Sequence, residues 1–431
     1  MARAIAVANV LRRAKAMLPV ATAASIILEN AIPLGLEWVD LSEARDRVLA
    51  EDITSPADFP PAPTSNMDGY AVRHQDLAAW PRVLHVVETV PAGSVPQIAL
   101  EVGQTTRLFT GSILPSGADT VVMQEVVTLV DSSTARIEAG GDRGQFVRPQ
   151  GHFCRRGDLV LARGQQLSGP EIAVLAAVRR SRVAVFQRPR VAILSTGNEL
   201  VPIDQPPMPG QIVDSNQHGL AALVEAAGGV PECLGIVADT EGDSVAAGET
   251  QLRAAIAAAV ARADVVLSTG GVSVGDYDRV DAVLTDLPAQ IHFQKVAIKP
   301  GKPLTFATFS RTQSPILYFG LPGNPVSAMA CFWRFVRPAL GKLQGRAASW
   351  EPIFLNAIAR ADLQAGGKRE TYLWGHAIPT EAGLDFVPAN EHGSGNLINL
   401  AGTNALAVVP IGQTRIAAGT PVRVMLTRSL S

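Results

Sequence analysis

Cysteine is scarce. The three in this sequence, Cys154, Cys233 and Cys331, lie far apart, and no C-x-x-C occurs. An odd, scattered count argues against a disulfide framework and fits a reduced, cytoplasmic setting. The seven histidines form no H-E-x-x-H, which argues against a compact histidine-based zinc site. A large excess of charge of either sign is missing too. The formal net charge is −2, so nothing draws the whole chain toward nucleic acid or a membrane surface, and any anion site must be local. No apolar run approaches the roughly 18 residues that span a bilayer. At the N-terminus, Arg12, Arg13 and Lys15 sit where a secretory signal would be apolar, so residues 1–30 read as a helix rather than a leader. A Walker A lysine and a G-x-G-x-x-G opening a helix after a strand are absent. P-loop hydrolysis and nicotinamide redox chemistry lose weight accordingly.

What is present is a long globular chain. Its 431 residues are 47% hydrophobic and 18% charged, enough for several cores and two to four domains. The prolines of "SPADFPPAPTSNMDGYAV" (residues 55–72) forbid helix and predict an extended linker ending in an Asp68-Gly69 turn. Short alternating apolar segments across residues 83–162 predict a β-rich module. "SGPEIAVLAAVRR" then has helical spacing behind Ser168 as N-cap. From Arg188 strands and helices alternate, as in "PRVAILST", "SNQHGLAALVEAAGG", "VPECLGIVA" and "DVVLSTGG". That alternation predicts a doubly wound, mostly parallel sheet, which binds ligands beyond the carboxyl ends of its strands. After about residue 344 short strands return, as a small C-terminal β domain.

Several stretches carry candidate chemistry. "STGGVSVGDYD" (residues 268–278) follows a predicted strand. Gly270 and Gly271 let the backbone approach a ligand closely. Ser268, Thr269 and Ser273 can donate to oxyanions, while Asp278 suits a divalent cation bridging to phosphate. The same stretch also reads as a tight turn with Asp278 near a helix N-terminus. "QKVAIKPGKPLTF" places Lys295, Lys299 and Lys302 on a proline-stiffened segment with apolar flanks. Such lysines act as point charges for an oxyanion, or form a solvated basic edge. "GLPGNPVSA" turns from a strand into a helix whose first N–H groups face an anion or an ordinary cap. "STGNEL" sets Glu199 beside Ser195 and Thr196. Asp68 and Thr110 lie on turns and are weaker signals alone.

Taken in order, "SNMDGYAV", "TGSILPSGADTVVMQE", "STGNELV", "STGGVSVGDYD", "KVAIKPGKP" and "GLPGNPVSA" resemble the molybdopterin molybdenumtransferases, the MoeA and gephyrin E-domain family. The resemblance runs over nearly the whole chain, to "HGSGNLINLAGTNALAVVP". It implies an enzyme of molybdenum cofactor biosynthesis that takes adenylylated molybdopterin (molybdopterin-AMP) and molybdate and releases AMP with Mg2+. Carried over by motif, the implied catalytic residues are Asp68, Thr110, Glu199, Asp239, Asp278 and Lys295, with Asp239 and Asp278 on the metal. The implied substrate contacts are Arg148, Ser268, Thr269, Gly270, Gly271, Ser273, Lys299, Lys302, Pro322, Pro325 and Ser327, with Arg369 and Ser394 touching molybdate.

The implied organisation is an N-terminal helix (1–30) packing on an α/β domain (188–343), a linker or α+β module (31–65 and 155–187), a β-rich module (66–154) and a C-terminal β domain (344–431). A homodimer with shared clefts is implied, with a molybdopterin adenylyltransferase and molybdoenzyme chaperones as further partners, and neither nucleic acid nor membrane. The sequence departs from the pattern at His152 and Phe153, where the family is acidic, at Asn198, where aspartate is common, and at Trp374, where a second arginine is frequent. Three other readings compete: an adenylyltransferase-like enzyme, normally one short domain; a scaffold, which needs an extra domain and long linker; and a catalytically silent paralogue.

Overall fold

The computed structural model describes residues 17–237, 245–271 and 279–430, so the expectations for residues 1–16, Asp239, Ser273 and Asp278 lie outside the described residues. Two compact units form. One holds residues 52–162 and 170–181, and the other the rest of the chain.

The first unit is built on a six-stranded sheet in the spatial order Thr120–Met123, Gly69–Val72, Gln104–Leu108, Arg82–Val90, Thr134–Ile137, Val127–Asp131. Most neighbours are antiparallel, but Arg82–Val90 and Gln104–Leu108 run parallel. Its inward residues, among them Ala71, Leu108 and Val121, are shielded from solvent, as the alternation of the sequence requires. Helix Gly169–Ala177 begins one residue after Ser168.

The second unit holds the α/β sheet. Its strands are β1 (Arg190–Thr196), β2 (Val230–Val237), β3 (Val265–Thr269), β4 (Ala289–Lys295), β5 (Pro303–Phe309) and β6 (Ile316–Leu321), in the order β2-β1-β3-β6-β5-β4. The first four in that order are parallel, and β5 and β4 join antiparallel. Strand β4 was not expected. "AQIHFQK" is short and polar at alternate positions, and its pairing with β5 supplies what its composition does not. Alternate residues of each central strand face opposite cores. Val191, Ile193, Val265 and Leu267 pack with helix Asn216–Ala226 and with Phe332 and Phe335. Ala192, Leu194 and Val266 pack with Leu252 and Ile256 of helix Val245–Arg262 and with Val283 of helix Arg279–Asp286. Helix Val20–Asn30 buries Val20, Ala23 and Ile27 in the first of these cores.

Past β6, Pro325 opens a helix (Pro325–Cys331) that passes through a π-helical turn, Phe332–Val336, into Arg337–Leu343. Proline suits that first position because its missing N–H would have had no partner there. The C-terminal strands Glu370–Thr380, Gly383–Pro388, Phe354–Ala359, Pro421–Leu426 and Ala405–Val409 pair in that order, and the last returns to the first, closing a small barrel. Tyr372, Trp374 and Leu406 of the barrel share the core that holds Val191 and Phe332. That shared apolar core fixes the barrel against the α/β sheet. No helix among the described residues is long and apolar enough to cross a membrane.

Candidate functional site

The segment after β4 is where the sequence placed its lysine loop, and it is more ordered than a loop. Lys295 is the last residue of β4 and pairs with Pro303. Ile298 and Lys299 form a short strand beside Glu370 and Thr371 of the barrel. Gly301 carries the turn at φ 113°, and a side chain there would meet the Cys331 Sγ. Arg369 reaches back from the barrel, its Nη1 donating to the Ile298 carbonyl at 3.3 Å. The lysine segment and the barrel thereby share one wall.

Between them lies a cavity of about 870 Å³, lined by Lys299, Lys302, Asn324, Ser327, Arg369 and Ser394 among others. Five residues singled out from the sequence therefore meet in one place. Asn324 donates from Nδ2 to the Ser394 Oγ at 3.2 Å, and the Val326 N–H donates to the Ser394 carbonyl at 3.2 Å. The expected helix start at Asn324-Pro325 thus spends one of its free N–H groups on Ser394 rather than leaving it for an anion. Among the described residues, Lys299, Lys302 and Arg369 make no ion pair, whereas the cavity's other guanidinium, Arg360, is bound to Asp385 at 2.7 Å. The one lining carboxylate, Asp362, accepts from the Ala418 N–H at 2.9 Å and from Arg415 at 2.6 Å, and these bonds hold its carboxyl below the usual aspartate range. The wall is cationic with hydroxyl donors, which suits a small multivalent oxyanion.

Sequence reasoning missed several lining residues. Tyr372 is fully buried, donates to Glu370 Oε1 at 2.5 Å and accepts from Arg334 Nε at 3.1 Å. Burial pushes its hydroxyl pKa well up. His392 packs edge-on against Trp374, with 4.6 Å between ring centroids. Trp374 is 1% exposed, and its Nε1 has no partner among the described residues. The "HGSG" stretch was the available signal for His392, and the resemblance passed over it.

The strand ends carry a second group of candidates. Gly270 sits at φ 88° and Gly271 at φ 65°, backbone that favours glycine. Gly323 packs toward Gly270, a Cβ on it lying 3.5 Å from the Gly270 Cα. Pro322 is buried and Pro325 half-buried on either side of this contact. Ser268 and Thr269, expected to donate to a ligand, are turned inward instead. The Ser268 hydroxyl meets the Tyr318 hydroxyl at 2.5 Å, and the Thr269 hydroxyl meets that of Ser195 at 3.1 Å. Both lie in a central strand without solvent, where a hydroxyl must find a protein partner. Glu199 is exposed and folds back against Gly197. The spatial order β2-β1-β3 sets side by side the strand ends that lead into Asp239, Glu199 and residues 270–278.

In the other unit Asp68 and Thr110, far apart in sequence, are joined. The Thr110 N–H and hydroxyl both donate to Asp68 Oδ1, at 2.7 and 2.8 Å. These bonds hold the Asp68 carboxyl below the usual aspartate range, backbone bond first. The Arg148 guanidinium lies over the Phe153 ring, 4.8 Å from its centroid. Phe153 thus supplies an aromatic face where an acidic residue would have supplied charge.

Three family models match the chain: the MoeA N-terminal region (domain I and II) over residues 18–178, the probable molybdopterin binding domain over 192–342, and the MoeA C-terminal region (domain IV) over 356–427. The chain is 49% identical over 394 residues to a molybdopterin molybdenumtransferase of a Nostoc species, covering 90% of this chain and 88% of the relative. It is 34% identical over 410 residues to the molybdopterin molybdenumtransferase of Haemophilus influenzae, covering 95% and 98%. The crystal structure of a molybdopterin biosynthesis moeA protein from Pyrococcus horikosii superimposes with a TM-score of 0.80 at 30% identity, covering 96% of this chain and all of that one. With such identity along almost its whole length, the chain belongs to the molybdopterin molybdenumtransferase family, enzymes of molybdenum cofactor biosynthesis.

Proposed function

We propose that this enzyme takes molybdenum from molybdate, inserts it into adenylylated molybdopterin and releases AMP in a Mg2+-dependent reaction. The observation that carries the molybdate assignment is the cavity lined by Lys299, Lys302 and Arg369, which make no ion pair among the described residues, beside the hydroxyls of Ser327 and Ser394. A tetrahedral dianion needs charge from several directions, and fixed cations with few competing carboxylates provide it. The glycine turn at Gly270-Gly271 is assigned to the pterin-phosphate side, where its backbone admits close approach. Ser273 and Lys295 are assigned to the same side.

Asp239 and Asp278 would hold Mg2+. Carboxylate oxygens are the donors a hard divalent cation takes, and the adjacent ends of β2, β1 and β3 support bringing these two and Glu199 together. When bound, the ion would offset anhydride charge. This chain's residues bind, orient and screen the substrates. Asp68, Thr110 and Arg148 are assigned to the cleft of a partner subunit, in a cytoplasmic homodimer with shared sites that exchanges substrate and product with an adenylyltransferase and molybdoenzyme chaperones. The domain limits read from the sequence are retained as part of this reading.

The experiment is incubation of the full chain with adenylylated molybdopterin, molybdate and Mg2+, following AMP. Release that requires molybdate and falls by at least about a hundredfold in Arg369→Ala is the expected result. AMP release that is independent of molybdate would overturn it.

A further inference from the structure

We propose that His392 is a proton relay for molybdenum insertion, its open ring nitrogen taking a proton from an incoming ligand and passing it to the oxygen that leaves molybdate. The inference rests on the reading of the cavity as the molybdate site.

Three observations carry it. His392 lines that cavity. Its Nε2 lies 2.8 Å from the Trp374 carbonyl oxygen. A carbonyl only accepts, so Nε2 carries the proton of the neutral ring and Nδ1 is the basic nitrogen. Among the described residues Nδ1 has no hydrogen-bond partner, and it is not among the buried unpartnered atoms, so it is accessible from the cavity side. The edge-on contact with Trp374 holds the ring in this orientation.

The chemistry requires such a group. When molybdenum passes from an oxyanion to two acceptor groups L–H, two molybdenum–L bonds form and one molybdenum–oxygen bond breaks. The two L–H protons end on the departing oxygen, which leaves as water. Molybdenum keeps its oxidation state, so no oxidant or reductant enters. Oxide is too basic to leave bare, and the transfer needs a group that both accepts and donates a proton near neutral pH.

The charged and titratable groups that line the cavity together with His392 are Lys299, Lys302, Arg360, Arg369, Asp362 and Tyr372. Its chain neighbour Glu391 accepts from Asn396 Nδ2 at 3.0 Å. Lysine and arginine as side-chain types remain protonated near neutral pH, and imidazole alone in this set exchanges a proton there. Tyr372 is buried between Arg334 and Glu370, and Asp362 is tied to Ala418 and Arg415. Burial also lowers the His392 pKa below the usual histidine value of 6.5, which leaves Nδ1 unprotonated at neutral pH.

His392→Gln tests the relay, since a glutamine amide can still donate to the Trp374 carbonyl but does not titrate. Two measurements are made on the full-length protein: calorimetric binding of molybdate alone, and the single-turnover rate of insertion into adenylylated molybdopterin from pH 5 to 8. The wild-type rate is expected to fall as pH drops through the lowered histidine value, because protonated Nδ1 cannot accept. His392→Gln is expected to bind molybdate within about twofold of wild type, to lose about a hundredfold or more in rate, and to lose the acid limb. Added imidazole is expected to restore part of the rate in His392→Ala.

A His392→Gln rate within about threefold of wild type with the acid limb intact overturns the relay, and so does a tenfold loss of molybdate affinity, which would mark a structural role. If Arg369→Ala binds molybdate as wild type does, the cavity is not the oxyanion site and the relay falls with that reading. If Arg369→Ala fails to bind while His392→Gln turns over normally, only the relay is lost.

Discussion

Asp68 keeps its charge because Thr110 donates to one of its oxygens twice, and both donors favour the ionised form. Its folded pKa lies below the ordinary aspartate value of 3.8, so the stability this contact contributes is present above about pH 3.8 and is lost as pH falls through the folded value. Thr110→Val removes the hydroxyl donor and leaves the backbone one. The Asp68 midpoint should therefore rise part of the way toward 3.8, read by carboxyl-carbon NMR titration, and an unchanged midpoint would contradict the hydrogen-bond assignment. At this scale the sequence named residue types well and partners poorly. Lys299 and Lys302 were legible because cations in an apolar stretch are unusual, whereas Arg369 came only through the family resemblance. The inward turn of Ser268 and Thr269 was not, because a hydroxyl's partner is set by which strand lies beside it. His392 was legible only as one histidine in a glycine-rich stretch, since its role depends on Trp374.

The turns at the strand ends are elements whose backbone excludes most side chains. A Cβ on Gly270 would run into the Thr196 carbonyl oxygen, and φ of 88° adds left-handed strain. Gly270→Ala should cost roughly 2–3 kcal/mol in chemical denaturation. Gly323→Ala, whose Cβ would find its nearest neighbour at 3.5 Å, should stay within about 0.5 kcal/mol. Equal stability losses in the two variants would contradict this account. The elements themselves were readable where periodicity was strong. "PRVAILST", "VPECLGIVA" and "DVVLSTGG" became β1, β2 and β3 within a residue or two of the expected ends. Strand β4 and the barrel strand Gly383–Pro388 were missed because each is short and mixed in polarity, and only pairing gives it a partner. The π-helical turn at Phe332–Val336 was also invisible, since its sequence is as apolar as an ordinary buried helix.

Across the whole molecule the chain makes two units with separate cores, and Asp68 and Asp278 belong to different ones. If the working unit is the proposed dimer with shared sites, Asp68→Ala and Asp278→Asn should each be inactive alone and complement when mixed. Random pairing makes about half of the dimers mixed, each with one intact site of two, so activity should recover to roughly a quarter of wild type. Sedimentation must first establish dimers and subunit exchange, after which an absence of recovered activity contradicts shared sites. The sequence by itself determined the class of the molecule, because the alternation of apolar runs dictates which segments become strands and helices and because glycine, proline and lysine at fixed spacing constrain turns and charge locally. It also carried the family, through motifs spread along the chain. Only the tertiary structure decided that the lysine segment and the barrel enclose one cavity, that Asp362 and Arg360 are ion-paired there while Lys299, Lys302 and Arg369 make no ion pair among the described residues, and that His392 is held by a backbone carbonyl. These outcomes depend on contacts between segments as distant as Lys299 and Ser394, and a linear pattern does not encode which distant segments share a wall.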